Sequence, residues 1–370
     1  FMDEFYRDFG VNPGRSGYDL CMETGTLIDQ TRRELTNFFN GDNPDRLCFS
    51  YNSTDALNLI IFGMLKKGDH VITTTLEHNA VLRPLYHLIQ DHGVEVDHVP
   101  FDSKGFVDPE EVKKKFKSNS RLVVVNHASN VIGTVQPIEA IGRMCKEAGI
   151  TFAIDASQSA GKVPIDMKAM NIDIVAFTGH KSLLGPTGIG GLCVREGVEI
   201  KHSRAGGTGV KSAQHRHLDE YPFRLEYGTV NVKGIAGLHA GLQWILDKGV
   251  GIIHSQEMAL THKLRDGLAE IEGVEIYCQE DLRDHIAVLS FNIVGLQALD
   301  TSTMLDGEYN IACRSGLHCA PLVHEHLGTD KIGGSVRLSL GPFTTDAHID
   351  EVIEAVSQIV DFQNKRTGNH

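Results

Sequence analysis

A His-Lys pair and an upstream aspartate are the residues of this sequence whose chemistry is easiest to interpret. His180 and Lys181 follow the apolar run IDIVAF, and Asp155 ends the apolar run TFAID. A lysine amine can form a Schiff base with an aldehyde cofactor, and a carboxylate can pair with a pyridinium nitrogen. Pyridoxal phosphate chemistry needs these two groups most, so the sequence suggests a site for that cofactor.

Other side chains that could hold such a cofactor lie in turns next to predicted strands and helices. Ser53 and Thr54 belong to a polar turn that runs into a helix, where free amides bind phosphate; an ordinary helix cap is the alternative. His78 could stack on a pyridine ring or move protons, although a loop histidine is more often structural. Asn130 could donate to a phenolate oxygen or bond its own backbone.

Two further polar residues have equally simple alternatives. Gln158 follows Asp155 by three residues and could reach the oxygen of the pyridine ring whose nitrogen Asp155 would hold. For Asp155 itself the alternative is that it caps a helix. Thr229, in a Gly-Thr turn before a helix, could donate to a phosphate or act only as a cap.

The segment CRSGLHCAP contains a candidate nucleophile. Cys319 lies in a loop with glycine and histidine, preceded by Arg314 and His318, and nearby positive charge favours the reactive thiolate. A buried inert cysteine is the alternative. The spacing of Cys319 from His318, His324 and His326 fits no common zinc pattern, so we predict no metal site.

Arg337 stands in the otherwise apolar run SVRLSLG. A charge there needs a partner. A substrate carboxylate held bidentately and a structural Asp or Glu satisfy that need equally well.

Composition excludes some classes of partner. The 370 residues carry a formal net charge of −13, which argues against nucleic acid and anionic membranes as partners. No apolar stretch approaches the roughly 20 residues of a membrane span. Seven cysteines without a C-x-x-C pair indicate free thiols in a reducing, cytoplasmic setting. The Phe-Met start indicates a shortened N-terminus rather than a secretory signal.

Strand and helix patterns alternate through the first half of the chain. Alternation of this length predicts a mostly parallel sheet covered on both faces, with ligands bound beyond the carboxyl ends of its strands. The predicted strands are 70–74, 94–100, 121–127, 151–155, 172–177 and 188–194, and the predicted helices between them are 55–66, 79–92, 109–116 and 137–148.

The regular alternation of strand and helix patterns ends at about residue 235. Here the patterns predict a smaller α+β domain with helices at 235–247, 253–271 and 349–363 and strands at 274–278, 286–293, 311–314 and 335–340.

Taken in order, the motifs S-T before a helix, E-H, S-N-x-x-G, D-x-x-Q, G-H-K-x-x-G-P-T-G, G-T-x-N, R-S-G-x-H-C-A and R-x-S-L resemble class V, fold-type I pyridoxal-phosphate enzymes. Within these, the chain is most similar to the cysteine desulfurase and selenocysteine lyase family, over nearly its whole length. The resemblance implies a large cofactor-binding domain at 12–240 with a mostly parallel seven-stranded sheet. A smaller α+β domain would comprise 241–370 together with 1–11.

The resemblance also implies a role for each candidate. Lys181 would be the Schiff-base lysine and the base at Cα, His78 would stack on the ring, and Cys319 would attack the substrate sulfur and carry a persulfide. The cofactor would be held by Ser53, Thr54, Asn130, Asp155, Gln158, Thr178 and His180, with Thr229 from the neighbouring subunit of a homodimer. The substrate would be held by Asn130, Arg314 and Arg337.

The implied reaction converts L-cysteine to L-alanine, and the compact loop around Cys319 implies a small sulfur-acceptor protein. Selenocysteine lyase on L-selenocysteine, another class V reaction such as transamination or C–S cleavage, and a catalytically idle interaction protein are the alternatives. The sequence departs from the family at two points. It lacks the N-terminal Leu-Asp-Asn-Ala-Ala strand, and Asn52-Ser53-Thr54 stands where Gly-Thr-Thr is more common.

Overall fold

A computed structural model describes residues 1–13, 17–277 and 279–367. Within these ranges the larger sheet has seven strands in the order β1-β7-β6-β5-β4-β2-β3. Only β7 runs antiparallel to its neighbours, so the sheet is mostly parallel. The strands are β1 Leu47–Ser50, β2 His70–Thr74, β3 Glu95–Val99, β4 Ser120–Asn126, β5 Thr151–Asp155, β6 Ile174–Thr178 and β7 Gly190–Val194.

Helices cover both faces of this sheet. Their starts follow local chemistry: the side chain of Asn52 accepts from the amide of Asp55, and Asp108 caps the helix that begins at Pro109. The helices are α1 Met2–Phe9, α2 Asp19–Phe38, α3 Ser53–Met64, α4 Asn79–His92, α5 Pro109–Lys114, α6 Ile138–Ala148 and α7 Val232–Lys248.

Alternate residues of each central strand face opposite sides of the sheet. In β4, Val123 and Val125 join the core under α2, α6 and α7, whereas Leu122 and Val124 join the core under α3 and α4. The continuous apolar strands predicted from the sequence are therefore buried on both faces, as a covered parallel sheet requires.

The second sheet is antiparallel, in the order β10-β11-β9-β8. Its core packs against α8, α9 and α11. These elements are β8 Val274–Ile276, β9 Val288–Ile293, β10 Arg314–Gly316 and β11 Ser335–Ser339, with α8 Val250–Ala269, α9 Ala298–Tyr309, α10 Pro321–Leu327 and α11 Asp346–Thr367.

The strand predicted at 311–314 is wrong except for its last residue. The amide of Ile311 bonds back to the carbonyl of Leu305 and Asn310 has a left-handed backbone, so this segment ends α9. Pairing with β11 begins only at Arg314, which lies opposite Arg337. The strand predicted at 274–278 ends on a residue outside the described ranges.

The fold class predicted from the sequence is confirmed: a large, mostly parallel seven-stranded sheet is joined to a smaller α+β unit. Helix α1 packs against α2 and α7. The predicted boundaries at 12–240 and 241–370 stay predictions. Among the helices of the described ranges, none combines the length and apolar character that crossing a membrane requires.

Candidate active site

The carboxyl ends of β4, β5 and β6 meet at one edge of the large sheet and surround a cavity of about 250 Å³. Parallel strands bring the residues after their carboxyl ends to a common edge, which is why residues far apart in the sequence converge here. The cavity is lined by Asn52, Ser53, Thr54, His78, Ala80, Asn126, Asn130, Asp155, Ser157, Gln158, Thr178, His180, Lys181 and Arg314.

Asp155, the last residue of β5, is buried and held by one of its oxygens. Its Oδ1 accepts from Ser53 Oγ at 3.1 Å, from the Ser157 amide at 2.9 Å and from Ser157 Oγ at 2.5 Å. In the described ranges no hydrogen bond reaches Oδ2. The carboxylate is thus fixed in orientation and retains one oxygen that can accept from a ligand.

Lys181 follows β6 by three residues; its side chain is exposed to solvent through the cavity, whereas its amine lies among enough protein atoms to be desolvated. Burial lowers the pKa of this amine from 10.5, and Asp155 opposes the shift. The guanidinium groups of Arg337 and Arg314 lower the pKa further by repelling the ammonium form. The environment therefore makes the neutral, nucleophilic amine easier to reach than it is for a lysine in water.

The N-terminus of α3 faces the same cavity. Asn52 caps only the Asp55 amide, and the amides of Ser53 and Thr54, in the first turn of α3, make no backbone hydrogen bond in the described ranges. Across the cavity, Thr178 Oγ1 lies 2.9 Å from His180 Nδ1. Free amides at a helix start, hydroxyls and an imidazole form a suitable set for an anion.

Gly190 in β7 makes this arrangement possible. A Cβ atom at this position would lie 2.8 Å from Cα of Asn52 and 2.7 Å from the carbonyl oxygen of Phe177. Only glycine lets the strand pass so close to the turn that starts α3.

His78 caps α4, with Nδ1 accepting from the Ala80 amide at 3.0 Å. The proton of the neutral ring is therefore on Nε2. Burial lowers the pKa of His78, and Lys181 and Arg314 lower it further while Asp155 opposes them. The ring lines the cavity as a neutral flat surface.

Cys319 lies on the loop after β10. The Nη2 of Arg314 donates to its sulfur at 3.2 Å. Asn130 Nδ2 donates to the carbonyl of the preceding residue, His318, at 2.8 Å, and Arg337 Nη1 donates to the carbonyl of Asn130 at 2.9 Å. Asn130 thus joins the cysteine loop to the second arginine, and its own Oδ1 is buried without a hydrogen bond.

Arg337 has no carboxylate partner within the described ranges, where the ion pairs involve other residues. Burial, and then the nearby Arg314, lower its pKa to about 10, while Cys319 opposes them. With Lys181 and Gln158 it lines a second cavity of about 290 Å³ that adjoins the first. The alternative of a structural carboxylate partner is therefore not supported, and a ligand carboxylate fits.

The structure brings most of the predicted site residues together. Ser53 donates its hydroxyl to Asp155, a contact that the phosphate prediction did not include. Thr229 lies elsewhere, in shallow surface cavities beside Tyr51 and Asp55 and beside Arg32.

Four lining residues, Asn52, Ala80, Asn126 and Ser157, were not among the predicted site residues, and two of them could have been identified from the sequence. Ser157 bonds the Asp155 carboxylate in a D-x-S turn, a pattern typical of side-chain to backbone bonding that could have identified it. Asn126 ends β4 as a polar residue after an apolar run, which is the same signal that singled out Asp155.

Comparison with known proteins gives consistent matches. Residues 1–352 match the family model described as aminotransferase class-V. A probable cysteine desulfurase of Methanothermobacter thermautotrophicus is 32% identical over 97% of this chain and 90% of its own length. One of Pyrococcus abyssi is 34% identical with the same coverage.

Solved structures agree with the sequence matches. An apo structure of cysteine desulfurase from Thermococcus onnurineus superposes with a TM-score of 0.88 at 32% identity, covering 97% of this chain and 90% of that one. A cysteine desulfurase from Escherichia coli gives a TM-score of 0.86 at 27% identity, covering 98% and 90%.

Proposed function

The chain belongs to the aminotransferase class-V family, and on that premise we propose that it is a pyridoxal-phosphate-dependent cysteine desulfurase that converts L-cysteine to L-alanine. The relatives named above are described as cysteine desulfurases or probable cysteine desulfurases, so they do not favour selenocysteine lyase as the alternative.

The donor set of the first cavity fits the cofactor. Lys181 offers an amine to an aldehyde, Asp155 offers a free oxygen to a ring nitrogen, and His78 offers a flat neutral face. Thr54, Thr178 and His180, with the free backbone amides of Ser53 and Thr54, suit a phosphate, and Gln158 suits the ring oxygen. When bound, pyridoxal phosphate supplies an electron sink for charge that develops at the substrate Cα.

The substrate carboxylate is assigned to Arg337, with Asn130 holding that arginine in place through its carbonyl. Supporting this, the guanidinium has no protein carboxylate in the described ranges and borders both Lys181 and the second cavity. A bidentate carboxylate pair would place Cα of the amino acid near the Lys181 amine, which takes the Cα proton.

Cys319 is assigned as the sulfur acceptor. Its thiolate forms a bond to the substrate sulfur as the substrate Cβ–S bond breaks, and the electron pair of that bond stays with the three-carbon fragment. That fragment gains protons and leaves as alanine, while the enzyme retains a persulfide. Arg314 Nη2, 3.2 Å from the sulfur, places a cationic hydrogen-bond donor on the attacking group.

We also propose a homodimer, a small sulfur-acceptor protein and a cytoplasmic location. The position of Thr229 outside the first cavity supports the dimer, because its hydroxyl could serve a neighbouring subunit. The half-buried loop of Cys319 supports a separate acceptor. Free thiols at Cys48, Cys145, Cys193, Cys313 and Cys319 support a reducing compartment.

The observation that carries this proposal is the placement of the Cys319–Arg314 pair beside the cavity of Lys181 and Asp155. A transaminase needs the amine and the carboxylate but has no use for the thiol. The test is to incubate the holoenzyme with L-cysteine or L-selenocysteine, with and without reductant, and to quantify alanine, sulfide and selenide. We expect equimolar alanine and sulfide from L-cysteine when reductant is present.

Cys319→Ala and Cys313→Ala form a matched pair for this test, since both cysteines are half-buried and, of the two sulfurs, Arg314 donates a hydrogen bond to that of Cys319. C319A should lose sulfide release from L-cysteine, whereas C313A should keep it. Sulfide release by C319A at the wild-type rate, or conversion of a keto acid by the wild type, would contradict the proposed function.

A further inference from the structure

The backbone around Cys319 is held in an uncommon conformation. His318 has φ = +49° and Cys319 has φ = +60°, so two consecutive residues with side chains occupy the left-handed region. This region is disfavoured for such residues, and they stay there only when surrounding contacts fix them. The loop that carries the thiol is therefore maintained by its contacts.

The two carbonyls of this dipeptide are both fixed by residues of the large-sheet unit. Asn130 Nδ2 donates to the His318 carbonyl at 2.8 Å, and the amide of Asn79 donates to the Cys319 carbonyl at 2.7 Å. These two bonds fix the backbone of the loop against the large-sheet unit. The contact of the loop with the smaller sheet is made by a side chain.

The His318 side chain provides that contact. Its ring is 2% exposed, and Nε2 lies 3.0 Å from the carbonyl oxygen of Ser335 and 3.1 Å from Oγ of the same residue. A carbonyl oxygen only accepts, so Nε2 carries the proton and donates. Ser335 begins β11 and pairs with Gly316 of β10, two residues before Arg337 on the same strand.

The surroundings keep this ring neutral and in one tautomer. Nδ1 is buried without a hydrogen bond, and the ring of His324, itself bonded to Thr329 Oγ1, lies 5.5 Å away between centroids. Burial lowers the pKa of His318 to about 3, and the guanidiniums of Arg337 and Arg314 and the imidazole of His324 act in the same direction. A single uncharged tautomer keeps the Nε2 proton available to the Ser335 carbonyl at neutral pH.

We propose that His318 is a positioning residue for the Cys319 nucleophile: its Nε2–H bond to the Ser335 backbone ties the cysteine loop to the strand that carries Arg337. The thiol and the carboxylate-binding arginine thereby share one rigid frame. This inference rests on the proposed function, because it assumes that the substrate sulfur must meet Cys319 while its carboxylate occupies Arg337. It assigns His318 no contact with substrate or cofactor.

Three variants of the holoenzyme test the bond. His318→Ala removes the donor. His318→Asn keeps a side chain that tolerates left-handed backbone, but its amide is too short to reach Ser335. His318→Gln restores a donor at greater reach. His326→Ala is the matched control, since His326 is an exposed histidine of α10 whose ring packs against Phe101.

In steady state with L-cysteine, we expect H318A and H318N to lose about 100-fold in kcat while KM changes by less than about twofold, since only the sulfur-transfer geometry is disturbed. H318Q should recover most of kcat, and H326A should match the wild type. If H318A does not fold, H318N against H318Q gives the same comparison. A KM that rises together with the fall in kcat, or no rescue by Gln, would show a merely structural role and overturn the proposal.

A second readout does not depend on desulfuration. The rate at which iodoacetamide labels the Cys319 peptide, followed by mass spectrometry, should be about tenfold lower in H318N than in the wild type and in H318Q, because the sulfur leaves Arg314. Equal labelling rates in all three proteins overturn the proposal. If the wild type makes no alanine from L-cysteine, the proposed function fails while this labelling comparison still decides the role of His318.

Discussion

The guanidinium of Arg314 donates from Nη2 to the sulfur of Cys319 at 3.2 Å, and the same arginine lies directly opposite Arg337 in the β10–β11 pair. Like charges that face each other across two strands destabilise a sheet. Neither arginine has a carboxylate partner in the described ranges, so no negative charge of an Asp or Glu offsets this repulsion. An anionic thiolate on one arginine and an anionic ligand on the other would relieve it.

The first prediction concerns the contact between Arg314 and the Cys319 sulfur. Arg314→Gln should slow iodoacetamide labelling of Cys319 about tenfold, because the thiolate loses its cationic donor. The same change should leave the free energy of unfolding equal or raise it by about 0.2–1 kcal/mol, because one of two facing like charges is gone. Labelling kinetics and urea unfolding measure the two effects.

Arg195→Gln is the control for this variant, since Arg195 pairs with Asp173 at 2.5 Å next to the amino end of β6, opposite the end that borders the cavity. Its labelling rate should equal that of the wild type. Wild-type labelling in R314Q would mean that the 3.2 Å contact does not influence the thiol.

A second prediction concerns the pH dependence of cofactor uptake by Lys181. The amine attacks an aldehyde only when deprotonated, so uptake of pyridoxal phosphate by the apoprotein should rise with pH. Because burial, Arg337 and Arg314 lower the pKa of Lys181, the midpoint should lie below 10.5. Arg337→Gln removes a cation that repels the ammonium form, so the pKa should rise and the midpoint should move to higher pH.

Uptake is followed by the absorbance of the bound cofactor across a pH series. Lys181→Ala should show no such band, and Lys168→Gln, an exposed surface lysine, should reproduce the wild-type midpoint. A midpoint that stays constant in R337Q would contradict the electrostatic explanation.

Part of this site could be predicted from the sequence, because the geometry of a parallel sheet determines where residues at strand ends lie. Asp155 ends a predicted strand and Lys181 comes shortly after another, and parallel strands bring such residues to one edge of the sheet. The contact between Ser53 and Asp155 and the contact between Arg314 and Cys319 depend on how separate segments approach each other, which spacing does not encode. His318 is visible in the sequence only as a neighbour of the thiol, and its role depends on the position of Ser335.

The sequence patterns also failed to predict helix α2 and strand β1. Helix α2 buries Thr24, Thr31, Arg32 and Thr36, so the apolar period that would indicate a helix is interrupted by polar residues. Arg32 is tolerated there because it pairs with Glu226 at 2.7 Å, a partner 194 residues away. Strand β1 has only four residues, Leu47–Ser50, and gives a pattern too short to separate from a loop.

A third prediction concerns acid stability. Burial lowers the pKa of His127 to about 4, of His285 to about 4, of His318 to about 3 and of His324 to about 4. These rings stay neutral in the folded protein while an unfolded chain protonates near pH 6.5. The stability that they contribute is complete above pH 6.5 and is lost as the pH falls toward 4, at about 1.4 kcal/mol per pH unit for each histidine.

His127→Gln isolates one of these groups, since burial alone shifts its pKa. Urea unfolding between pH 7 and pH 4.5 should show a slope smaller by about one proton in H127Q than in the wild type. The exposed His92 provides the control, and H92Q should leave the slope unchanged. An identical slope in H127Q would mean that this ring is protonated in the folded state.

The last prediction tests whether Thr229 acts across a subunit boundary. Thr229 lies outside the cavity of Lys181, beside Tyr51 and Asp55, so in a single chain its hydroxyl cannot complete that cavity. Thr229→Val should weaken pyridoxal phosphate binding about tenfold or more, the cost of one hydrogen bond to a charged group. Hybrid dimers formed from one Lys181→Ala chain and one Thr229→Val chain then separate the two geometries. If Thr229 serves the neighbouring subunit, the only intact lysine receives a native threonine from the other chain, and half of the sites bind at wild-type affinity. If it serves its own subunit, every site that retains Lys181 lacks the hydroxyl, and equilibrium titration of cofactor absorbance gives only the weak constant.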